Sequence, residues 1–274
     1  MSERSAKTWA PGGLRIEPQV LALGLVGALS LAAWIALAAW SASPYARYLG
    51  HGGWVDDGVF GEICRSIPQG TLIVPALLHA LAWLLMISAM MLPTTLPLLG
   101  IFGRVVSGRP DAGALVGRVV LGYAIAWLGF GFAAHALDGL LHAGAAEIGW
   151  LAGRGWVVGA LVLAGAGAFQ FSALKYRCLE RCRTPFAFVN QRWNGRAPAR
   201  EALRIGVDHG IFCVGCCWAL MVVMFVTGVG SVGWMLALAA AMAAEKNLRW
   251  GQQLAAPLGV ALIGWAGVLV AANL

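Results

Sequence analysis

Long, predominantly apolar segments recur along the chain and constrain its fold more than any other feature. A helix needs about 20 apolar residues to cross the hydrocarbon layer of a bilayer, and we place seven such segments, of which the sixth is short and the third long. They lie near residues 19–40, 72–92, 112–137, 148–169, 208–228, 232–244 and 254–272. Each segment is apolar throughout, without the alternation of a transmembrane barrel strand. The sequence therefore predicts an all-α, polytopic transmembrane helical bundle.

The composition supports this class of protein. Hydrophobic residues make up 60% of the chain and charged residues 11%, whereas a soluble domain is about a quarter charged. We therefore expect most of the protein surface to contact the lipid bilayer. The 37 glycines fit close helix contacts, because small residues let helix backbones approach each other in lipid. We expect a single transmembrane domain over residues 1–274.

The basic residues predict an orientation. With seven spans, all but three of the 19 lysines and arginines fall on one side, and the exceptions are Arg47, Arg65 and Arg154. Positive residues are enriched in cytoplasmic loops, so we expect the N-terminus inside, the C-terminus outside, and residence in a bacterial inner membrane. Residues 170–204 are predicted to form a basic amphipathic cytoplasmic loop. Since topology explains the net charge of +7, nucleic acid is not expected as a partner.

Sulfur-containing side chains are concentrated in the fifth segment, which includes "HGIFCVGCCWALM" (His209–Met221). At about 100° per residue, His209, Cys213 and Cys216 share one helix face, and Cys217 flanks it. Thiolate and thioether sulfur are soft ligands that suit Cu(I) or Zn(II). The alternative is that cysteine and methionine only fill space between helices. The sequence leaves both interpretations open.

The second segment offers a complementary feature. Met86 and Met90 are four residues apart and share a face, with Met91 adjacent. The methionines and the cysteines of the fifth segment fall at similar predicted depths, so we expect them to form one site. The predicted metal ligands are His209, Cys213, Cys216, Cys217, Met86, Met90 and Met91. Copper is the expected metal, with zinc as the alternative.

Proline and charged residues near the segment ends give further expectations. Pro93 lacks a backbone N–H, so we expect a kink or break that frees the carbonyl of Ala89. Asp208, Glu245 and Lys246 lie at predicted cytoplasmic ends, where a charged side chain reaches water easily.

Three cysteines lie outside the fifth segment. Cys178 and Cys182 are four residues apart in the basic loop, and Cys64 is alone in the first outside loop. The sequence leaves the roles of Cys178 and Cys182 undecided. No phosphate-binding loop, dinucleotide fingerprint or Ser-His-Asp order is present. We therefore predict no catalytic or cofactor-binding residue, and the sequence does not decide whether the protein is an enzyme.

Four sequence blocks together resemble a bacterial family classed as a domain of unknown function and described as predicted metal-binding integral membrane proteins. The blocks are "WLLMISAMMLPTTLP" (Trp83–Pro97), "YRCLERCRTPFAF" (Tyr176–Phe188), "HGIFCVGCCWALM" and "AEKNL" (Ala244–Leu248). The resemblance runs from about Leu72 to the C-terminus. It implies metal binding through Met90, Met91, His209, Cys213, Cys216 and Cys217, and it implies no particular reaction.

Three functions are compatible with these features. The first is copper handling within the membrane, either transport or delivery of copper to another protein. The second is a role as a subunit or accessory protein of a membrane-bound metalloenzyme, and the third is a structural bundle without metal. A partner membrane protein or periplasmic protein is possible under the first two.

Overall fold

The computed structural model describes residues 18–42, 73–151, 154–227 and 231–274. Within these residues the protein is all-α, with no strand, which confirms the predicted fold class. The helices are α1 (Pro18–Ser41), α2 (Ile73–Met90), α3 (Leu96–Val106), α4 (Ala112–Glu147), α5 (Gly155–Phe169), α6 (Ala173–Arg183), α7 (Pro185–Arg192), α8 (Pro198–Thr227), α9 (Val232–Asn247) and α10 (Ala255–Asn273). Short 3₁₀ turns at Leu92–Thr95 and Gly251–Leu254 precede α3 and α10.

Each predicted apolar segment coincides with a helix, but two sets of boundaries differ. Helix α4 continues to Glu147 and α5 begins only at Gly155, so the helix of the fourth segment starts later than expected. Helix α8 begins at Pro198, well before the predicted start at residue 208. The cytoplasmic loop predicted over 170–204 consists largely of helix, because α6, α7 and the first turns of α8 lie within it.

Four described stretches are long and apolar enough to cross a membrane, and the number rises to six if each of two bent helix pairs is one span. The four are Leu23–Ser41, Ala112–Ala145, Pro198–Thr227 and Gly251–Asn273. Helix α9 has 16 residues, which corresponds to about 24 Å of helix against a hydrocarbon thickness of about 30 Å. Seven crossings therefore remain a prediction.

Glycine brings the two longest helices into backbone contact. A Cβ atom at Gly206 of α8 would collide with the carbonyl of Val119 in α4, and one at Gly122 would collide with the carbonyl of Leu203. A Cβ at Gly210 would lie 2.6 Å from the Cβ of Ala126. Only glycine permits such an approach, so these positions determine where α8 lies against α4.

The expected break at Pro93 is present. Helix α2 and the stretch Leu92–Val106 meet at an angle of 51°, because proline cannot donate the hydrogen bond that would continue the helix. The Ala89 carbonyl that this frees accepts a hydrogen bond from Trp34 Nε1 of α1 at 3.1 Å. A neighbouring helix thus supplies the donor that the proline lacks, and the break places Met91 at the end of α2.

A second bend turns α6 back onto α8. Helices α5 and α6 meet at 62°, and the Ser172 side chain caps α6 by accepting a hydrogen bond from the Lys175 backbone N–H at 3.1 Å. A Cβ at Gly215 of α8 would lie 2.6 Å from Cys178 Sγ, so the glycine leaves room for α6. This packing brings the cysteines of α6 next to those of α8.

Candidate metal centre

The four predicted ligands of α8 lie on the buried side of the helix. Cys213 and Cys217 have no exposed surface, Cys216 is 1% exposed and His209 is 3% exposed. The helix face that His209, Cys213 and Cys216 share is therefore the face that packs into the bundle.

The thiols of α8 contact each other directly. Cys216 Sγ lies 3.3 Å from Cys217 Sγ, and it also lies 3.2 Å from the Cys213 carbonyl oxygen, to which it donates. In this last contact, the Cys216 thiol donates to a backbone carbonyl about one turn earlier in its own helix. In this arrangement Cys216 carries its proton.

Helix α6 adds a fourth thiol to this group. Cys182 Sγ lies 3.9 Å from Cys216 Sγ, and Cys182 is only partly buried, whereas the three cysteines of α8 are buried. We call Cys182, Cys213, Cys216 and Cys217 the thiol cluster. Cys182 is its most accessible member.

Lys246 of α9 reaches into the thiol cluster. Its Nζ donates to Cys213 Sγ at 2.9 Å and to Thr94 Oγ1 at 3.2 Å, and it lies 3.8 Å from Met91 Sδ. Lys246 is 7% exposed. One amino group therefore connects the thiol cluster with the methionine at the break after α2.

Tyr123 of α4 closes the same region from another side. Its hydroxyl lies 3.0 Å from Cys213 Sγ and 3.3 Å from the Met91 carbonyl oxygen. The hydroxyl donates to the Met91 carbonyl, and in its contact with Cys213 either the hydroxyl or the thiol can be the donor. Cys213 thus contacts polar groups from two other helices, Lys246 of α9 and Tyr123 of α4, although it lies inside an apolar bundle.

His209 lies one helical turn before Cys213. Its ring packs against Tyr123, with ring centroids 6.0 Å apart, and against Phe188, at 5.5 Å. Nδ1 of His209 is buried and has no hydrogen-bond partner among the described residues. A buried polar atom of this kind normally has a partner, so His209 retains a free donor or acceptor site.

A buried ion pair lies beside the thiol cluster. Lys175 Nζ donates to both carboxylate oxygens of Glu245, at 2.8 and 2.9 Å, and the two side chains are fully buried. Lys175 also donates to Gln170, and Arg183 donates to the backbone carbonyls of Glu245 and Arg249. These bonds fasten α6 to the C-terminal end of α9.

The predicted methionines have different positions relative to the thiols. Met86, Met90 and Met91 are all buried in the core, but only Met91 is joined to the thiol cluster through Lys246 within the described part of the chain. Cys178 packs against Gly215. Cys64 lies outside the described residues.

Sequence reasoning missed Cys182, Lys246 and Tyr123 as parts of this region. The expectation that Glu245 and Lys246 reach water at a helix end is wrong, because both side chains are buried. Each has a buried partner, Lys175 for Glu245 and Cys213 for Lys246. Asp208 remains partly exposed and pairs with Arg192 at 2.9 Å.

The donor set suits a soft ion that accepts few ligands. Metal–sulfur bonds of about 2.3 Å hold two sulfur ligands about 3.8–4.6 Å apart, and the 3.9 Å between Cys182 and Cys216 lies in this range. The 3.3 Å between Cys216 and Cys217 is shorter and would have to widen. Among the described residues, no group of three or more His, Cys, Asp and Glu side chains is arranged to hold a metal ion. Zinc, which takes four ligands in structural sites, therefore finds no support.

One known protein family is similar to this chain over most of its length. A family model described as "PpoB2: Copper chaperone" matches residues 80–269. The chain belongs to this family. The match covers α3 to α9, most of α2 and α10, and therefore the whole thiol cluster with Met91 and Lys246. Comparison with curated proteins and with solved structures gave no match.

Membership of the PpoB2 family supports a copper-related role, which is the general part of the predicted copper function. The resemblance to predicted metal-binding membrane proteins agrees with it, but the match does not test the label of a domain of unknown function. Several of the described helices have the length and apolar composition that crossing a membrane requires, which is consistent with an integral membrane protein.

Proposed function

We propose that the protein binds Cu(I) at the thiol cluster within the membrane and delivers it to a partner protein. Copper is here the cargo of the protein. The observation that carries the proposal is the approach of Cys182 and Cys216, whose sulfur atoms on two different helices lie 3.9 Å apart. Soft thiolate and thioether donors select Cu(I), and the family description of a copper chaperone supports the same cargo.

Delivery requires a route between the buried thiols and the surface. Cys182 is partly exposed, whereas Cys216 and Cys217 are buried. Cys182 is therefore the thiol that an approaching copper donor or acceptor meets first. The copper ion can pass from Cys182 to Cys216 and then to Cys217, because neighbouring sulfur atoms in this series are in contact. At each step it keeps one sulfur ligand while it gains the next. A copper-accepting membrane or periplasmic protein is the partner that this function requires.

Reconstitution with Cu(I) tests the proposal. The full chain is purified in detergent, incubated anaerobically with Cu(I), freed of excess metal and analysed for copper and for copper–sulfur bonds by X-ray absorption. We expect about one Cu(I) with sulfur ligands. Cys182→Ser and the double variant Cys216→Ser/Cys217→Ser should lose it.

Cys178→Ser provides a matched control, because Cys178 lies on the same helix as Cys182, is itself buried and packs against Gly215. This variant should keep its copper. If the wild-type protein binds no copper under these conditions, the proposal fails, and the cysteines only pack between helices. Copper that is bound but cannot be removed by any acceptor, with turnover of a substrate instead, would favour a subunit of a membrane-bound metalloenzyme.

A further inference from the structure

The amino group of Lys246 occupies the point where donors from three separate elements converge. Cys213 belongs to α8, Thr94 to the 3₁₀ turn and Met91 to the end of α2, and Lys246 Nζ contacts all three side chains. An ammonium group has three N–H donors and no acceptor. The three contacts therefore match a protonated lysine.

The positive charge of Lys246 needs its own counter-charge in this apolar region. Glu245 does not provide it, because both of its carboxylate oxygens accept from Lys175. Of the groups that contact Lys246 Nζ, Cys213 is the one that becomes an anion by losing a proton. Its sulfur is also the closest of the three, at 2.9 Å. The geometry thus places the amino group between one cysteine sulfur, one thioether sulfur and one hydroxyl.

We propose that Lys246 is a built-in substitute for the copper cargo: its ammonium group holds the position between Cys213 and Met91, leaves when Cu(I) binds there, and returns when Cu(I) departs. The inference rests on the proposed function and extends it to the control of binding and release.

The charges of the two cations explain why such an exchange favours Cu(I). One monovalent ion replaces another, so the buried charge around Cys213 does not change. A divalent ion at the same place would leave an extra positive charge in an apolar surrounding, which is strongly unfavourable. Lys246 is therefore a specificity-determining residue for a monovalent soft metal.

The position of Lys246 in its helix allows the side chain to leave. It belongs to the last turn of α9, and the next residues, Asn247 and Leu248, are exposed. Its flexible four-carbon stem can therefore carry the ammonium group to the surface without any change in the helix. Lys175, in contrast, is fixed in the ion pair with Glu245.

Covalent labelling of lysine tests the exchange directly in the wild-type protein. The full chain in detergent is treated briefly with acetic anhydride, before and after loading with one equivalent of Cu(I), and acetylation is measured by mass spectrometry. We expect acetylation of Lys246 to rise at least about fivefold on loading, since its burial is lost. Lys175 is the internal control, because it is also buried, and its acetylation should stay the same.

Two outcomes separate this inference from the proposed function. Copper bound at sulfur with unchanged acetylation of Lys246 overturns the exchange and leaves the proposed function standing. No bound copper overturns both. A rise in the acetylation of Lys175 as large as that of Lys246 also overturns the exchange, because it shows a general loosening of the protein.

Variants of Lys246 give a second, kinetic test. In Lys246→Met no internal cation returns, so transfer of Cu(I) to a soluble Cu(I) chelator should slow at least about tenfold, the equivalent of about 1.4 kcal/mol. Lys246→Arg keeps the charge and should transfer copper within about threefold of the wild-type rate. Equal rates for the wild type and Lys246→Met would overturn the proposal.

Discussion

Lys175 and Glu245 form an ion pair at 2.8 Å in which neither side chain has exposed surface. The pair joins α6 to α9, and the residue after Glu245 is Lys246, which contacts the thiol cluster. The position of Lys246 thus depends on an ion pair formed by its neighbour in the chain.

Removal of one partner of this pair should strongly destabilise the protein. Glu245→Gln leaves the charge of Lys175 buried without a counter-charge, and such a change costs about 3–5 kcal/mol. We expect a clear fall in the thermal unfolding temperature in detergent. The double variant Lys175→Met/Glu245→Gln, which removes both charges, should recover much of this loss.

The half-buried pair of Arg192 and Asp208 is the control for this prediction. Because water reaches it, Asp208→Asn should cost no more than about 1 kcal/mol. An equal loss of stability in Asp208→Asn and Glu245→Gln would contradict the distinction between the two pairs.

The contact between α4 and α8 should not tolerate a methyl group. Gly206→Ala places a Cβ against the Val119 carbonyl, and overpacking of this kind costs about 1–3 kcal/mol. Gly117→Ala, on the opposing helix α4, is the control, since a Cβ there meets no atom within 4 Å. Alanine is the better helix former by up to about 1 kcal/mol, so unfolding measurements should show a loss for Gly206→Ala alone.

The hydrogen bond from Trp34 to Ala89 should stabilise the break at Pro93. Trp34→Phe keeps most of the ring but leaves the Ala89 carbonyl without its donor, which costs about 1–3 kcal/mol for a buried group. The exposed Trp150 is the comparison, and Trp150→Phe should leave the unfolding temperature unchanged. A similar result for both variants would show that the broken helix does not need this donor.

The two neighbouring methionines should differ in their effect on copper binding. The sequence led us to expect a shared site for Met90 and the cysteines, but Met91 is the one whose sulfur lies near Lys246 and, through it, Cys213. Met91→Leu nearly conserves volume and should weaken Cu(I) binding about tenfold. Met90→Leu should have a smaller effect in the same competition titration, and the reverse order would favour Met90.

The orientation in the membrane stays a prediction that a reporter can test. With seven crossings and the N-terminus inside, Leu274 lies outside the cytoplasm. A reporter that functions only in the cytoplasm should therefore give no signal when it is fused after Leu274. A strong signal there would show an even number of crossings, as when α9 does not cross by itself.

The helices could be predicted from sequence because their causes are local. Apolar length predicts α1, α8 and α10, and the missing N–H of Pro93 predicts the break after α2. The partner of the freed Ala89 carbonyl was not predictable, because Trp34 is 55 residues away along the chain.

The sequence analysis named the candidate residues of α8 and Met91 after α2, but it missed the residues that α4, α6 and α9 contribute. Helical periodicity places His209, Cys213 and Cys216 on one face, but it gives no information on which other helix lies opposite. Cys182 and Lys246 approach this face only through the bend between α5 and α6 and the ion pair of Glu245. The charge of Lys246 led us to expect an exposed side chain, because nothing in the local sequence shows that a buried partner is available.

The glycine contact between α4 and α8 determines which parts of the centre can move. A shift of α8 by one residue translates its side chains by about 1.5 Å and turns them by about 100°, and the carbonyls opposite Gly206 and Gly122 block such a shift. Cys213, Cys216 and Cys217 are therefore the stationary side of the centre. Under the proposed function, we expect the motion that admits or releases copper to occur in α6 and α9, so a cross-link between these two helices should trap the ion without altering its ligands on α8.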